Sequence, residues 1–121
     1  MYPETYKYTT DHEWIDLNTG RMGITDYAQK QLGDIVFLEL PEVGKTVKKG
    51  EQVGSVESVK AVSEIFAPVS GTITGVNGAL VEKPEAINHD AHGSWMVAIS
   101  PADPAEAQEL LDAATYTELT K

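Results

Sequence analysis

The sequence predicts a single domain over residues 1–121 of the α+β class, mainly β, with a barrel or sandwich of short strands flanked by short helices. Its 121 residues suffice for one compact core but not for two ordinary domains. Between residues 41 and 73, short β-prone segments alternate with turn-forming residues, and many tight turns are typical of barrels and sandwiches. The turn-forming residues are Gly44, Gly50, Gly54, Pro68 and Gly71.

The first elements are predicted to be a β-hairpin, a short helix and a strand. Polar and apolar residues alternate over 13–17, an Asn-Thr-Gly turn follows, and residues 21–24 can return as the second strand. Thr25 can cap a short helix that Gly33 ends. The segment DIVFLEL, residues 34–40, has the strongest strand signal in the chain.

The last elements are predicted to be a helical turn, a closing strand and a final helix. Proline begins the turn at 84–87, a position that suits its fixed backbone angle, and residues 95–99 form an apolar, β-prone run. The final helix is expected at about 103–114, because Asp103 and Glu106 match the capping-box pattern at its start.

Charge and composition argue against several classes of function. Nineteen acidic residues against nine basic ones give a formal net charge of -10, so a nucleic acid is not an expected partner. The chain has no cysteine, which removes disulfides, thiolate metal ligands and cysteine nucleophiles. No apolar run reaches the length of about 18 residues that suggests a membrane helix, and the N-terminus lacks secretory or transit features. We therefore expect a cytoplasmic protein that does not bind membranes.

The chain carries few residues for autonomous catalysis. It has no G-x-S-x-G, P-loop or dinucleotide-binding motif. His89 and His92 are three residues apart and could grip a metal on a helix, but no third strong ligand accompanies them. We interpret this segment as a polar loop and predict no metal site and no catalytic residue.

Lys60 is the residue whose surroundings stand out. The β-prone runs 53–58 and 61–67 predict a hairpin around it, yet the link lacks the usual Asn-Gly or Pro-Gly turn. A lysine in a turn is most often an ordinary solvated residue. An amine at a rigid hairpin tip also suits modification by another enzyme, and nearby Glu57 and Glu64 would favour its charged form over a catalytic base.

The motifs ESVKAVSEI and APVSG, preceded by HEW, GITDYAQ and DIVFLELP, resemble the H protein family of the glycine cleavage system. The similarity runs in order from about Lys7 to the final helix. It implies the barrel-sandwich hybrid fold of lipoyl and biotinyl carriers, and lipoate in amide linkage on Lys60. Biotinyl domains typically read M-K-M and other lipoyl domains D-K-A at this position, whereas this chain has Val59-Lys60-Ala61.

The resemblance also implies a non-catalytic carrier that shuttles the aminomethyl intermediate of glycine decarboxylation. The implied partners are a pyridoxal-phosphate glycine decarboxylase, a tetrahydrofolate-dependent aminomethyltransferase, a flavin (FAD) dihydrolipoamide dehydrogenase and a lipoate-attachment enzyme. By resemblance, Glu13 could pair with the ammonium of the loaded arm, or it is an exposed strand carboxylate. Glu57 and Glu64 could be recognised by the attachment enzyme, or they belong to solvated strand faces. Gln31 departs from relatives, which often have histidine there.

The sequence leaves three alternatives open. The carrier could instead be a lipoyl or octanoyl donor, or a relay protein, in lipoate assembly. An unrecognised enzyme could use a site of His12, Glu13 and Lys60. A biotin carrier is disfavoured because no methionine flanks Lys60.

Overall fold

A computed structural model describes residues 2–121, which form nine strands, four α-helices and one 3-10 helix. The strands are β1 Lys7–Tyr8, β2 Glu13–Asp16, β3 Arg21–Ile24, β4 Ile35–Glu39, β5 Thr46–Val47, β6 Gln52–Ser58, β7 Val62–Phe66, β8 Gly71–Val76 and β9 Val97–Pro101. The α-helices are α1 Asp26–Leu32, α2 Gly78–Glu82, α3 Ala86–His89 and α4 Ala113–Leu119, and the 3-10 helix is Pro104–Glu109. The mainly β, α+β prediction is confirmed.

The strands form two antiparallel sheets that share one apolar core. The larger sheet has the order β1-β2-β3-β9-β8-β5, and the smaller has the order β4-β6-β7. Val56 and Ile65 of the smaller sheet join Ile73 and Ile99 of the larger sheet in a single buried cluster. Because successive strand residues point to opposite faces, each sheet contributes one side to this cluster and leaves the other for solvent or partners.

The opening hairpin and the first helix form as predicted. The β2–β3 turn ends at Gly20, where φ is +77° and an added Cβ would collide with the carbonyl oxygen of Ile99, so only glycine fits. The Thr25 side chain caps α1 by accepting a hydrogen bond from the Ala28 N–H at 3.2 Å. Gly33 ends the helix at φ +85°.

The single final helix expected at 103–114 is wrong. The chain instead forms the 3-10 helix Pro104–Glu109 and then α4, Ala113–Leu119. Asp103 caps the 3-10 helix as predicted, because its side chain accepts a hydrogen bond from the Ala105 N–H at 3.0 Å. The Glu106 half of the expected capping box is wrong, because the Glu106 carboxylate accepts hydrogen bonds from the N–H of Ser70 at 2.8 Å and from its hydroxyl at 2.9 Å. That carboxylate therefore fastens the 3-10 helix to the loop before β8.

A pairing with the N-terminal strand interrupts the helix. Leu111 and Tyr8 exchange two backbone hydrogen bonds of 2.8 Å and form a β-bridge, which places Leu111 in extended rather than helical backbone. Asp112 then begins α4 by accepting a hydrogen bond from the Thr115 N–H at 2.8 Å. A contact this distant along the chain leaves no local signal in the sequence.

Helix α4 is anchored on the start of α1. The Tyr116 hydroxyl lies 2.7 Å from Thr25 Oγ1 and 2.8 Å from His12 Nδ1, and its ring stacks on Tyr8 with centroids 4.8 Å apart. Tyr8, Trp14 and Tyr116 are buried members of a second, mainly aromatic cluster. The cap of α1 is thus tied to the C-terminal helix.

Other differences from the prediction are small. The closing strand, expected at 95–99, is Val97–Pro101, and the helical turn expected at 84–87 is α3, Ala86–His89. The sequence does not predict the short elements β1 and α2, because a two-residue strand and a five-residue helix have too few positions to show a periodic pattern.

Candidate functional site

Lys60 lies at the exposed tip of the β6–β7 hairpin, as the sequence predicts. The strands end at Ser58 and resume at Val62, so Val59, Lys60 and Ala61 form the link, and all three are exposed. The Ser58 N–H donates to the Ala61 carbonyl at 2.8 Å and closes the loop. The amine therefore stands on a short loop supported by two paired strands.

Ser58 supplies the turn chemistry that the loop otherwise lacks. Its buried hydroxyl oxygen accepts hydrogen bonds from the N–H of Ala61 at 3.0 Å and from the N–H of Lys60 at 3.3 Å. A serine hydroxyl that bonds the backbone two or three residues ahead can replace an Asn-Gly turn. Sequence reasoning missed this residue, although a serine directly before the link was the available signal.

The tip is also fastened to the segment that leads into β4, and α3 holds that segment in turn. The Val59 N–H donates to the Asp34 carbonyl at 3.0 Å. The Asn88 side chain accepts from the Ile35 N–H and donates to the Gly33 carbonyl, each at 2.9 Å. The loop that carries Lys60 is thereby tied to residues 33–35, which Asn88 of α3 holds in place.

The stem of Lys60 runs over Gly33. An ideal Cβ placed on Gly33 would lie 3.5 Å from Lys60 Cε, an ordinary van der Waals distance. Gly33 thus leaves open space beside the methylene groups of Lys60 and has a φ that other residues rarely adopt. The side chain is directed toward the C-terminal end of α1.

We predict that Ser58→Ala loosens the tip. It removes the acceptor of two loop N–H groups, so we expect a loss of about 1 kcal/mol in the free energy of unfolding and faster amide exchange at Lys60 and Ala61. Chemical denaturation and hydrogen exchange measure these effects. Ser63→Ala in β7 is the control, and equal exchange rates in the two variants would contradict the assigned role of Ser58.

The outward face of the smaller sheet is acidic and partly apolar. The pairing register places the outward residues nearest the tip in two rows, Phe37–Glu57–Val62 and Glu39–Ser55–Glu64. No lysine or arginine occurs in β4, β6 or β7. The structure therefore puts Glu57 and Glu64 on one exposed face beside Lys60.

Glu13 lies apart from the tip and is buried, with 2% of its surface exposed. The alternative of an exposed strand carboxylate is therefore wrong. One carboxylate oxygen accepts from the Thr9 hydroxyl at 2.8 Å, and the other accepts from the Phe66 N–H at 3.2 Å, at the end of β7 away from Lys60. Burial raises the pKa of Glu13 from 4.5 to about 8, more than these hydrogen bonds lower it.

The enzyme site of His12, Glu13 and Lys60 is not assembled. In residues 2–121, no hydrogen bond joins the Lys60 side chain to His12 or Glu13, and His12 instead bonds Tyr116 through Nδ1. Gln31 is exposed on α1. His92 Nε2 accepts the Asp26 N–H at 3.2 Å, and across the described chain no three His, Asp or Glu side chains converge as a metal site requires. None of the described helices is long and apolar enough to cross a membrane.

An exposed lysine at the tip of a hairpin, in a domain of two antiparallel sheets around one core, defines a carrier domain of the lipoyl and biotinyl type. A family model described as Glycine cleavage H-protein matches residues 6–121. The chain belongs to the glycine cleavage H-protein family, the lipoyl carriers of the glycine cleavage system.

The chain is similar to known H proteins over nearly its whole length. It is 57% identical over 122 aligned positions to the glycine cleavage system H protein of Acidobacterium capsulatum, covering 99% of this chain and 95% of that one. The H protein of Koribacter versatilis is 57% identical over 115 positions, with 95% and 90% covered. The crystal structure of the H protein from Mycobacterium marinum superposes with a TM-score of 0.88 at 43% identity, covering 98% of both chains. The predicted barrel-sandwich fold and the resemblance are confirmed.

Proposed function

We propose that Lys60 carries lipoate in amide linkage and that this chain shuttles the aminomethyl intermediate of glycine decarboxylation between partner enzymes. The observation that carries the proposal is the exposed Lys60 on a tip held by Ser58 and Asp34. A modifying enzyme must reach the amine from outside, and a rigid loop presents it at little entropic cost.

The residues around Lys60 fit a lipoyl group. Attachment joins the lysine nitrogen to the lipoate carboxyl carbon with net loss of water, and the charged ammonium becomes a neutral amide. The space over Gly33 accommodates the stem. When bound, lipoate supplies a dithiolane whose two sulfurs this cysteine-free chain cannot provide.

The proposed partners are those of the family. They are the pyridoxal-phosphate glycine decarboxylase, the tetrahydrofolate-dependent aminomethyltransferase and the FAD-dependent dihydrolipoamide dehydrogenase, with a separate lipoate-attachment enzyme, all in the cytoplasm. The chain itself catalyses none of their reactions. Its contribution is a tether that keeps the transferred group at high effective concentration for each partner.

The position of Glu13 supports its role in receiving the loaded arm. The Ala61 carbonyl, directly before β7, accepts a hydrogen bond from Ser58 of β6. Backbone groups alternate in direction along a strand, so every second residue of β7 directs its N–H and C=O to the edge that no strand covers. At this free edge the Phe66 N–H donates to the Glu13 carboxylate. Strand β7 has five residues and spans about 17 Å. A lipoyl-lysine arm is of the same order of length and can run along this edge. Its aminomethyl ammonium then reaches Glu13, and the two groups pair where little water is present.

Glu57 and Glu64 are proposed as recognition residues for the attachment enzyme. An acidic face without basic residues steers a partner that carries a positive surface. We predict that the double variant Glu57→Gln/Glu64→Gln is lipoylated about fivefold more slowly at low salt, with the difference shrinking at high salt. Glu4→Gln/Glu42→Gln removes the same charge from exposed sites elsewhere. Equal rates for the two double variants would overturn this role.

Mass spectrometry and reconstitution test the proposed function. Intact mass and peptide mapping of protein from lipoate-competent cells should show one lipoyl increment on Lys60. The lipoylated protein should then support glycine-dependent exchange of carbon dioxide with a glycine decarboxylase. An unmodified Lys60 would overturn the carrier assignment, whereas lipoylated protein without exchange activity would favour a donor or relay role in lipoate assembly.

A further inference from the structure

Two exposed valines beside Lys60 have no role in the proposed function. Val36 is 50% exposed and Val59 is 69% exposed. A β-bulge in β4, between the pairs formed by Ile35 and Phe37, leaves Val36 without a partner residue on β6. In a regular strand, Val36 and Phe37 would face opposite sides of the sheet, but both are about half exposed. Bulges often re-aim a side chain next to a functional site.

Both valines line an open groove of about 580 Å³ between β4, the hairpin tip and the segment from α2 to α3. Its apolar lining consists of the exposed Val36 and Val59 and the buried Ile35 and Pro84. Its polar lining consists of three carboxylates, an amide and an imidazole, from Asp34, Glu82, Glu85, Asn88 and His89. Exposed valines that line the same groove indicate a site for an apolar ligand.

The groove is continuous with the base of Lys60. Val59 is the preceding residue, and its N–H bonds the carbonyl of Asp34, another lining residue. The Lys60 stem passes over Gly33, next to Asp34 in the chain. Asn88 binds Gly33 and also lines the groove. A group attached to the Lys60 amine therefore begins next to Gly33, at the edge of this groove.

We propose that the groove seats the oxidised dithiolane end of the arm on Lys60, an inference that rests on the proposed lipoylation. The dithiolane is a small uncharged ring, and its contact with the exposed Val36 and Val59 removes apolar surface of both the ring and the protein from water. The oxidised dithiolane needs no charged partner. An aminomethyl-loaded arm carries an ammonium, for which Glu13 at the far end of β7 is available. The groove is therefore the resting place of the empty oxidised arm.

Amide chemical shifts of the lipoylated and unmodified protein test this placement, after intact mass has verified the modification. We expect shifts at Asp34, Val36 and Asn88 in the absence of any partner. We also expect a phosphine to reduce the dithiolane about fourfold more slowly than that of free lipoyl-lysine, the effect of burying about one methylene group. Shifts confined to residues next to Lys60, or located at Thr9 and Phe66, would overturn the inference.

A matched pair of variants separates the groove from general effects at the tip. Val36→Asn should remove most of the slowing of reduction, whereas Val62→Asn, a 67% exposed valine on the outward face, should keep it. Equal reduction rates in the two lipoylated variants would overturn the inference. If Val36→Asn does not fold, the shifts in the unmutated protein decide. A missing lipoyl increment would instead overturn the proposed function together with this inference, and mass alone distinguishes that outcome.

Discussion

Replacing Lys60 with alanine is expected to abolish lipoyl attachment completely and to change the free energy of unfolding by no more than about 0.5 kcal/mol. The amine is the only atom of this tip that can form the amide, so no partial activity is expected. The side chain makes no hydrogen bond or ion pair within residues 2–121, and its backbone N–H, which bonds Ser58, is retained in alanine. Mass spectrometry after incubation with an attachment enzyme measures the first effect, and thermal unfolding measures the second.

Two further variants make the Lys60 result specific. Lys60→Arg keeps a positive charge but offers no acylatable amine, so it should be as inactive as Lys60→Ala. Lys45→Ala removes an exposed lysine outside the hairpin and should be lipoylated normally. A lipoyl increment in Lys60→Ala would show that another residue is the acceptor, and a large fall in its melting temperature would show that Lys60 is structural.

Glu13→Gln is expected to change how stability depends on pH. The pKa of Glu13 is raised from 4.5 to about 8 in the folded chain, so between these values the folded state holds a proton that the unfolded state has lost. Stability from this group is therefore present below about pH 4.5 and is lost as pH rises toward 8. Each unit of pKa difference corresponds to about 1.4 kcal/mol, so the span is on the order of several kcal/mol. Glutamine does not titrate and removes this decline.

The quantity to measure is the difference in unfolding free energy between wild type and Glu13→Gln from pH 4.5 to 8. Burial lowers the pKa of His12 and His92, so these two residues add stability as the pH rises toward about 6.5. This contribution is the same in wild type and variant and cancels in the difference. The glutamine oxygen can accept from Phe66 and its amide nitrogen can donate to Thr9. Wild type should lose stability relative to the variant as pH rises. A constant difference would contradict the raised pKa, and Glu57→Gln serves as the exposed control.

The parts of the site that the sequence predicts are those set by neighbours in the chain. The Lys60 hairpin follows from two adjacent β-prone runs, and the α1 cap follows from Thr25 three residues before the N–H it binds. The turn residue Ser58 is equally local, but many serines occur in strands without bonding a loop. Local patterns thus identify Lys60 as the exposed residue, but they give less information on the hydrogen bonds that hold its loop.

The parts that the sequence does not predict depend on contacts between distant segments. Nothing near Glu13 in the chain shows that Phe66 will bind its carboxylate and that the barrel will bury it. The β-bridge between Tyr8 and Leu111 splits a segment whose local pattern favours one helix. The groove beside Lys60 combines β4 with the α2–α3 segment. Such features arise only when the two sheets and the termini come together.

Strand β9 forms the middle of the six-stranded sheet, between β3 and β8, although it is the last strand in the chain. During synthesis, the larger sheet therefore stays in two pieces until residues 97–101 leave the ribosome. The smaller sheet needs only residues 35–66, which are consecutive, so its low contact order allows earlier pairing. Under the proposed function, an attachment enzyme that binds only the Lys60 hairpin can therefore act on the chain earlier in folding than a partner that requires the folded region around Glu13.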